Sequence, residues 1–218
     1  MITLYGVLRS RAARNVWLAK ELGLSFTRVP VIQAYRLPDP LAADAPLNTA
    51  SPAFRAINPN GRIPALVDGD LTLCESFAIN LYLARKHGGP LAPADLREDG
   101  LMTMWSLWAV TECEPHGLAI LLHSGGERSE SDRRTVATAI ETLRPAFAVL
   151  EAALRKAGGF LVGGRFTVAD INVAEVLRYA QPATAFLAEH PAIGAWLNAC
   201  QARPAFREMM AERSTEPA

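Results

Sequence analysis

A chain of 218 residues with no formal net charge and half of its residues hydrophobic is long enough to form a substantial core in one or two domains. The neutral balance, without any block of lysines and arginines, excludes the electrostatic pattern of a nucleic-acid-binding protein. No apolar run approaches the roughly 20 residues that a membrane-spanning helix needs.

The cysteines and the N-terminal residues indicate the compartment. Cys74, Cys113 and Cys200 are odd in number and far apart, and they form no CxxC or Cys/His metal-ligand spacing. Such cysteines are typical of reduced thiols. The N-terminal sequence MITLYG lacks the charged and apolar regions of a signal peptide. We therefore expect a cytoplasmic protein that uses no metal ion and binds neither nucleic acid nor a membrane.

The first 31 residues predict a strand, a helix and a second strand. Residues 2–5 are β-branched or aromatic, residues 11–22 carry apolar positions at helical spacing, and Gly23 ends the helix. Residues 26–31 form the next strand, and its Pro30 indicates an edge position. Such a unit crosses over right-handed and pairs its strands in parallel.

The segment NPNGRIPALVDGDLTLCESFAINLYLARKH, residues 58–87, predicts a turn, a hairpin and a helix. Strands over 65–68 and 71–74 are separated only by Gly69 and Asp70, which requires a tight antiparallel connection. A helix begins at Glu75 and Ser76. Before this segment, residues 34–51 predict a long loop that is followed by a short helical turn.

The remainder of the chain predicts helices only. The glycine- and proline-rich residues 88–94 indicate a linker between a domain over 1–87 and a helical domain over 95–218. Pro115 is expected to interrupt the first long helix. Thr167 is a good N-cap, and Asp170 lies three residues later, as in a capping box. We expect the last residues, 214–218, to be frayed.

Residues 58–84 resemble the glutathione-binding half of cytosolic glutathione transferases, in which N-P-x-G-x-[VI]-P-x-L precedes E-S-x-A-I-x-x-Y-L. All of these positions are present in the same order. The resemblance, which extends over nearly the whole chain, is to serine-type, bacterial-like members. It implies an α/β thioredoxin-like N-terminal domain (βαβ-α-ββα), an all-α C-terminal domain, glutathione as the co-substrate and a homodimer.

Ser10 allows two interpretations. On spacing alone it is an N-cap whose hydroxyl accepts a hydrogen bond from a backbone N–H group of the first helix. The resemblance instead implies a catalytic serine that donates a hydrogen bond to the sulfur of glutathione. A hydroxyl donor and a helix N-terminus both favour the thiolate, which is the reactive form. Arg11 and Arg14 flank this position, and arginines in a first helix are usually solvated.

Two further motifs are assigned to glutathione by the resemblance. It implies a cis bond between Ile63 and Pro64, with the backbone of Ile63 pairing with the cysteinyl residue of the ligand. It also implies that Ser76 and the helix N-terminus bind the γ-glutamyl carboxylate, while Glu75 faces the ammonium group. Without the resemblance, the same residues indicate only a loop proline and an ordinary helix start.

Trp105, Trp108, Glu112 and His116 share one face of a predicted helix, a pattern that is typical of a core or a subunit interface. The resemblance implies that Trp105, Trp108 and Glu112 border the pocket for the electrophile. Arg55 and Arg62 could contact the glycyl carboxylate of glutathione, but nothing in the sequence distinguishes them from surface arginines.

The sequence therefore predicts an enzyme, a glutathione transferase that uses the glutathione thiolate to attack a small electrophile. One alternative is a glutathione-dependent isomerase of the maleylacetoacetate type, although Arg11 and Ala12 replace the residues that usually follow its serine. Another alternative is a non-catalytic binding or regulatory protein of the same fold. The electrophile cannot be identified from the sequence, because pocket residues vary within one fold.

Overall fold

The computed structural model describes residues 1–216. Its first part has the predicted βαβ-α-ββα order, with all four strands in one mixed sheet. The elements are β1 (Ile2–Tyr5), α1 (Ala12–Glu21), β2 (Phe26–Val29), a 3-10 turn (Ala34–Arg36), α2 (Pro52–Arg55), β3 (Ala65–Asp68), β4 (Leu71–Cys74) and α3 (Ser76–His87).

The strands of the sheet lie in the order β2-β1-β3-β4. β1 is parallel to β2, as the crossover predicted, and antiparallel to β3, which in turn is antiparallel to β4. β2 occupies an edge, in agreement with the proline that follows it. The β3–β4 connection turns at Gly69, whose φ of 65° lies in the left-handed region that favours glycine.

The rest of the chain is helical, as expected. Its elements are α4 (Leu96–Trp108), a π-helical segment (Ala109–Cys113), α5 (Glu114–His123), α6 (Glu130–Ala157), α7 (Val168–Leu177), a 3-10 turn (Arg178–Ala180), α8 (Thr184–Ala188), α9 (Pro191–Gln201) and α10 (Pro204–Thr215). The predicted interruption at Pro115 is confirmed, because the π-helical segment ends where this proline, which has no backbone N–H, enters α5.

The chain divides into two compact units. The first unit is Met1–His87 with the segment that begins at Pro204, and the second is Gly88–Arg203. The prediction of a single helical domain over residues 95–218 is therefore wrong for α10. Its Phe206 ring packs edge-on against Trp17 of α1 at 4.8 Å between centroids, and apolar burial of this kind holds a terminal helix in place.

The expectation that residues 214–218 are frayed is wrong for residues 214–216. α10 continues to Thr215, and the carboxylate of Glu216 accepts a hydrogen bond from the backbone N–H of Leu8 at 2.6 Å. Residues 217 and 218 lie outside the described residues.

The predicted capping box at the start of α7 is confirmed. The Asp170 carboxylate accepts from the backbone N–H of Thr167 at 2.8 Å and from its hydroxyl at 3.0 Å. It also accepts from the Trp196 indole at 2.9 Å and from the Leu161 N–H at 3.0 Å. Burial raises the pKa of Asp170, while these four hydrogen bonds favour its charged form.

A bidentate ion pair connects two segments of the second unit. The guanidinium of Arg165 contacts both carboxylate oxygens of Glu98, at 2.9 and 2.6 Å, and donates to the carbonyls of Pro90 and Ala92. The hydrogen bond from Arg165 lowers the pKa of Glu98 to about 2. Charge-assisted pairs of this geometry are among the stronger polar contacts in proteins.

Residues 1–216 include no helix long and apolar enough to cross a membrane. Over the same residues, no three His, Cys, Asp or Glu side chains are grouped as possible metal ligands. None of the three cysteines is in a disulfide.

Replacing Thr167 with Ala should lower the free energy of unfolding by about 0.5–2 kcal/mol, because the capping hydroxyl is lost. The exposed Thr142, whose hydroxyl only contacts the carbonyl of Thr138 in its own helix, provides the control substitution Thr142→Ala. Equal denaturant midpoints for the two variants would show that Thr167 is not a stabilising cap.

Replacing Glu98 with Gln should destabilise the protein in a pH-dependent manner. Because the folded pKa of Glu98 is depressed, its contribution to stability is complete above the unfolded value of about 4.3 and is lost as the pH falls towards 2. The stability difference from wild type should therefore shrink with falling pH. Glu141→Gln, in an exposed pair with Arg144, should show little difference at any pH. A constant difference for Glu98→Gln would contradict the assignment.

Candidate functional site

The three segments that the resemblance assigns to glutathione lie at the same end of the strands in the sheet. Ala65 at the start of β3 pairs with Tyr5 at the end of β1 and with Cys74 at the end of β4. The loop that carries Ser10, the Ile63–Pro64 segment and the Glu75–Ser76 pair therefore all leave or enter the sheet on the same side. The strand register therefore brings together segments that are far apart in the sequence.

Gly6 permits the close approach of these segments. Its φ is +146°, and a side chain here would place a Cβ atom 2.8 Å from the Cβ of Ala12 and 3.5 Å from that of Ile63. Contacts under 3.0 Å require a neighbour to move, so the absence of a side chain allows the first turn of α1 and Ile63 to approach the end of β1.

The Ser10 hydroxyl lies in the turn before α1, where it makes two hydrogen bonds. It donates to the carbonyl of Val7 at 2.6 Å and accepts from the backbone N–H of Ala12 at 3.1 Å. The second contact agrees with the capping interpretation. Since a hydroxyl has one hydrogen, the first contact means that Ser10 must release Val7 before it can donate to a ligand.

The predicted cis bond between Ile63 and Pro64 is confirmed. Before it, the buried side chain of Asn58 shapes the loop by accepting from the Asn60 N–H at 3.1 Å and donating to the Arg62 carbonyl at 2.6 Å. Within residues 1–216, neither the backbone N–H nor the C=O of Ile63 has a hydrogen-bond partner. Both groups are therefore able to pair with an extended ligand.

Glu75 and Ser76 form a sharp corner between β4 and α3. Glu75 is the one residue other than glycine with positive φ in the described chain, at 68°. Such a conformation costs on the order of 1–3 kcal/mol, and residues that adopt it cluster at functional sites. It leaves Glu75 exposed, while Ser76 at the first helical position is 5% exposed. The first backbone N–H groups of α3, which have no partners within the helix, start at this corner.

Arg14 is the main correction to the sequence analysis, which expected a solvated side chain. It is 1% exposed, and its Nη1 donates to the hydroxyl oxygen of Ser76 at 3.2 Å. Its guanidinium also lies 4.6 Å from the centre of the Phe77 ring. The accepted hydrogen bond leaves the hydroxyl hydrogen of Ser76 available for donation, beside a buried positive charge.

Asn15 and Asn80 add a second connection between α1 and α3. Asn15 Nδ2 donates to the carbonyl of Ser76 and to Oδ1 of Asn80, each at 2.7 Å, and Asn80 Nδ2 donates to the carbonyl of Arg14 at 3.3 Å. Both asparagines are fully buried. The only sequence signal for this network was a polar pair, Arg14 and Asn15, within the otherwise apolar helical run AARNVWLA.

Cys74 directly precedes this corner, and its environment makes it a poor nucleophile. Burial raises the pKa of the thiol, and the charge of Glu75 raises it further. Only a thiolate is strongly nucleophilic, and a raised pKa disfavours that form of Cys74. Tyr5 contributes to packing, with its ring 6.4 Å from that of Phe54.

The predicted electrophile residues lie in the second unit, in different surroundings. Trp105 is 8% exposed and packs edge-on against Trp108, with 5.0 Å between ring centroids, whereas Glu112 is exposed. The π-helical segment interrupts the regular spacing that placed Glu112 and His116 on the face of the two tryptophans. Their part in an electrophile pocket stays a prediction.

Arg55 and Arg62 are both exposed. The guanidinium of Arg55 lies close to the Gly61 backbone, where an added Cβ would be 3.3 Å from Nε. No described contact connects either arginine to Ser76 or Ile63, so their roles also stay open.

Comparison with known proteins gives one family for both parts of the chain. The model of the glutathione S-transferase N-terminal domain matches residues 1–85, and that of the glutathione S-transferase C-terminal domain matches residues 113–204. A curated relative, glutathione S-transferase 3 of Zea mays, is 34% identical over an alignment that covers 96% of this chain and 93% of the relative.

Solved structures agree with this result. Glutathione transferase F7 from Populus trichocarpa is 27% identical, with a TM-score of 0.79 over 98% of this chain and 99% of that one. A glutathione S-transferase I structure bound with lactoylglutathione is 28% identical, with a TM-score of 0.80 over 97% and 99% of the two chains.

Proposed function

The chain belongs to the glutathione S-transferase family, and on this basis we propose that Ser10 activates the thiol of bound glutathione for attack on a small electrophile. The co-substrate is glutathione. The observation that carries the assignment of the site is the corner at Ser76, where a buried hydroxyl, a buried arginine and a helix N-terminus converge.

The γ-glutamyl end of glutathione fits the chemistry of this corner. Its carboxylate would accept from the Ser76 hydroxyl and from the first N–H groups of α3, where the helix dipole favours negative charge. Arg14 supports this arrangement by donating to the oxygen of Ser76, which directs the hydroxyl hydrogen towards the ligand. The exposed carboxylate of Glu75 would face the ammonium group.

The cysteinyl part would pair with Ile63. Its unpaired backbone N–H and C=O offer one donor and one acceptor, which is the pattern of a short antiparallel strand addition. Because Gly6 allows Ile63 to approach the first turn of α1, a peptide paired with Ile63 would extend its thiol towards Ser10.

At Ser10 the required change is a rotation of the hydroxyl. A free thiol has a pKa of about 8.5, so most glutathione is protonated at neutral pH. When the hydroxyl hydrogen moves from the Val7 carbonyl to the sulfur, it stabilises the thiolate together with the helix N-terminus. The thiol proton passes to solvent. The sulfur lone pair then bonds to the electrophilic carbon, and a leaving group departs or, in an addition, the product takes up a proton.

Four further properties of the protein stay predictions. These are the bacterial-like character, the homodimer, the cytoplasmic location and the electrophile pocket at Trp105, Trp108 and Glu112. The isomerase alternative also stays open, because no described contact distinguishes isomerisation from conjugation. The non-catalytic alternative predicts a chain that neither binds to immobilised glutathione nor turns over any member of a panel of small electrophiles, whereas an enzyme with this site does both.

Ser76→Ala should weaken glutathione binding by roughly 1.5–3 kcal/mol, the range for hydrogen bonds to charged groups. The measurement is a calorimetric titration. Ser129→Ala, which removes another helix-start serine at the N-cap of α6, is the control and should leave affinity intact. Identical affinities in all three proteins would reject the γ-glutamyl assignment.

Ser10→Ala should raise the pKa of the bound thiol towards its free value of about 8.5. Turnover near neutral pH should fall ten-fold or more, since one pKa unit corresponds to about 1.4 kcal/mol. Affinity for glutathione should change less, because Ile63 and Ser76 hold the peptide. The thiolate absorbance of bound glutathione against pH measures the shift.

A melting curve of the same Ser10→Ala variant separates the two interpretations of this residue. A cap alone would lower stability by about 1 kcal/mol and leave the thiol titration unchanged. That result would assign Ser10 a structural role only.

A further inference from the structure

The loop that carries Ser10 is held by side chains from distant parts of the first unit. Leu8 and Arg9 lie between β1 and α1 and belong to no strand or helix. Their two N–H groups donate to the same carboxylate oxygen of Glu216, at 2.6 and 3.2 Å. Arg213 donates to the carbonyl of Leu8, and Gln33 donates to that of Arg9 at 3.3 Å. All four backbone groups are thus satisfied from outside the loop.

Contacts with β2 and with the loop before α1 hold Glu216 in place. Arg28 of β2 forms an ion pair with its carboxylate, and Arg9 Nε donates to its backbone carbonyl at 3.1 Å. One turn earlier in α10, Glu212 contacts Lys20 of α1 at 2.8 Å. With the packing of Phe206 on Trp17, these contacts fix the end of α10 against α1 and β2.

One peptide group connects Glu216 directly to Ser10. The N–H of Leu8 and the C=O of Val7 belong to the same planar unit, which rotates as one body. Its N–H donates to Glu216, while its C=O accepts the hydrogen of the Ser10 hydroxyl at 2.6 Å. The carboxylate of Glu216 therefore fixes the orientation of the carbonyl that determines where the Ser10 hydroxyl lies.

We propose that Glu216 is a positioning residue for the reaction: it holds the Val7–Leu8 peptide group so that the Ser10 hydroxyl can reach the glutathione sulfur by rotation alone. This inference rests on the proposed function of Ser10. It extends the residues that position Ser10 to the segment directly after α10, which contacts the loop and not the reacting atoms.

An electrostatic role and a positioning role of Glu216 predict opposite shifts in the pKa of the bound thiol. Arg28 pairs with the carboxylate of Glu216 and also lies 3.9 Å from that of Glu212. Arg9 and Arg213 bring further positive charge to the loop, where Arg9 donates to the backbone carbonyl of Glu216 and Arg213 to that of Leu8. A purely electrostatic role would mean that removing the negative charge favours the thiolate and lowers the pKa of the bound thiol. A positioning role predicts the opposite shift.

The test compares the full-length variants Glu216→Gln, Glu216→Asp and Glu208→Gln with wild type. Glu208→Gln is the matched control, because it removes a carboxylate of α10, paired with Lys20 at 3.4 Å, that does not touch the loop. Glu216→Asp keeps the charge but withdraws it from the Leu8 N–H. For each protein the thiol pKa of bound glutathione, the glutathione dissociation constant and the melting temperature are measured.

We expect both Glu216 variants to raise the thiol pKa, by about one unit for Gln, with a matching fall in turnover of about ten-fold at neutral pH. The dissociation constant should stay near that of wild type, and Glu208→Gln should shift neither quantity.

A lower melting temperature with an unchanged thiol pKa, or a lowered pKa, would overturn the proposal. If Ser10→Ala shifts the pKa and Glu216→Gln does not, only this inference fails. A wild-type chain without a depressed thiol pKa would overturn the proposed function as well.

Discussion

A hydrogen bond between two buried side chains, from the guanidinium of Arg14 to the hydroxyl of Ser76, connects the two helices on which the site depends. Removing a cation from water costs on the order of several kcal/mol unless its surroundings compensate, and the Ser76 hydroxyl and the Phe77 ring contribute to that compensation. The Asn15–Asn80 contact lies beside it. α1 and α3 therefore cannot shift along each other without breaking buried polar contacts, which are costly to leave unpaired.

This connection matters for the proposed function, in which each helix contributes its N-terminus to one ligand. The sheet register places the starts of α1 and α3 at the same end of the strands. In the binding mode that we propose, these two positive helix ends face the thiolate and the carboxylate of a single glutathione molecule. In the same proposal, the cis peptide segment offers its backbone to the middle of the ligand. In our account α10 completes the arrangement by fixing the loop before Ser10.

The sequence predicted what depends on local patterns or on close resemblance to a family. The bounds of β1, β3 and β4, the β3–β4 hairpin, the Thr167 capping box and the interruption at Pro115 follow from turn, capping and proline chemistry within a few residues. β2 was predicted over residues 26–31 but ends at Val29, before Pro30. The burial of Arg14 could not be predicted in this way, because it depends on contacts with α3 some 62 positions later in the chain. The docking of α10 was missed for the same reason, since Glu216 and Leu8 are separated by 208 positions. A short polar terminal segment is indistinguishable from a frayed end until its partners are known.

The most direct test of this account is a double-mutant cycle between Arg14→Met and Ser76→Ala, with glutathione affinity measured by calorimetry and folding confirmed by melting curves. If Arg14 acts through the hydroxyl of Ser76, its substitution should lose most of its effect when Ser76 is already Ala. The coupling energy should then be about 0.5–3 kcal/mol, as for residues in direct contact. Effects that add to within about 0.3–0.5 kcal/mol would show that the two residues act independently. That result would contradict the central claim that this buried contact directs the binding of glutathione.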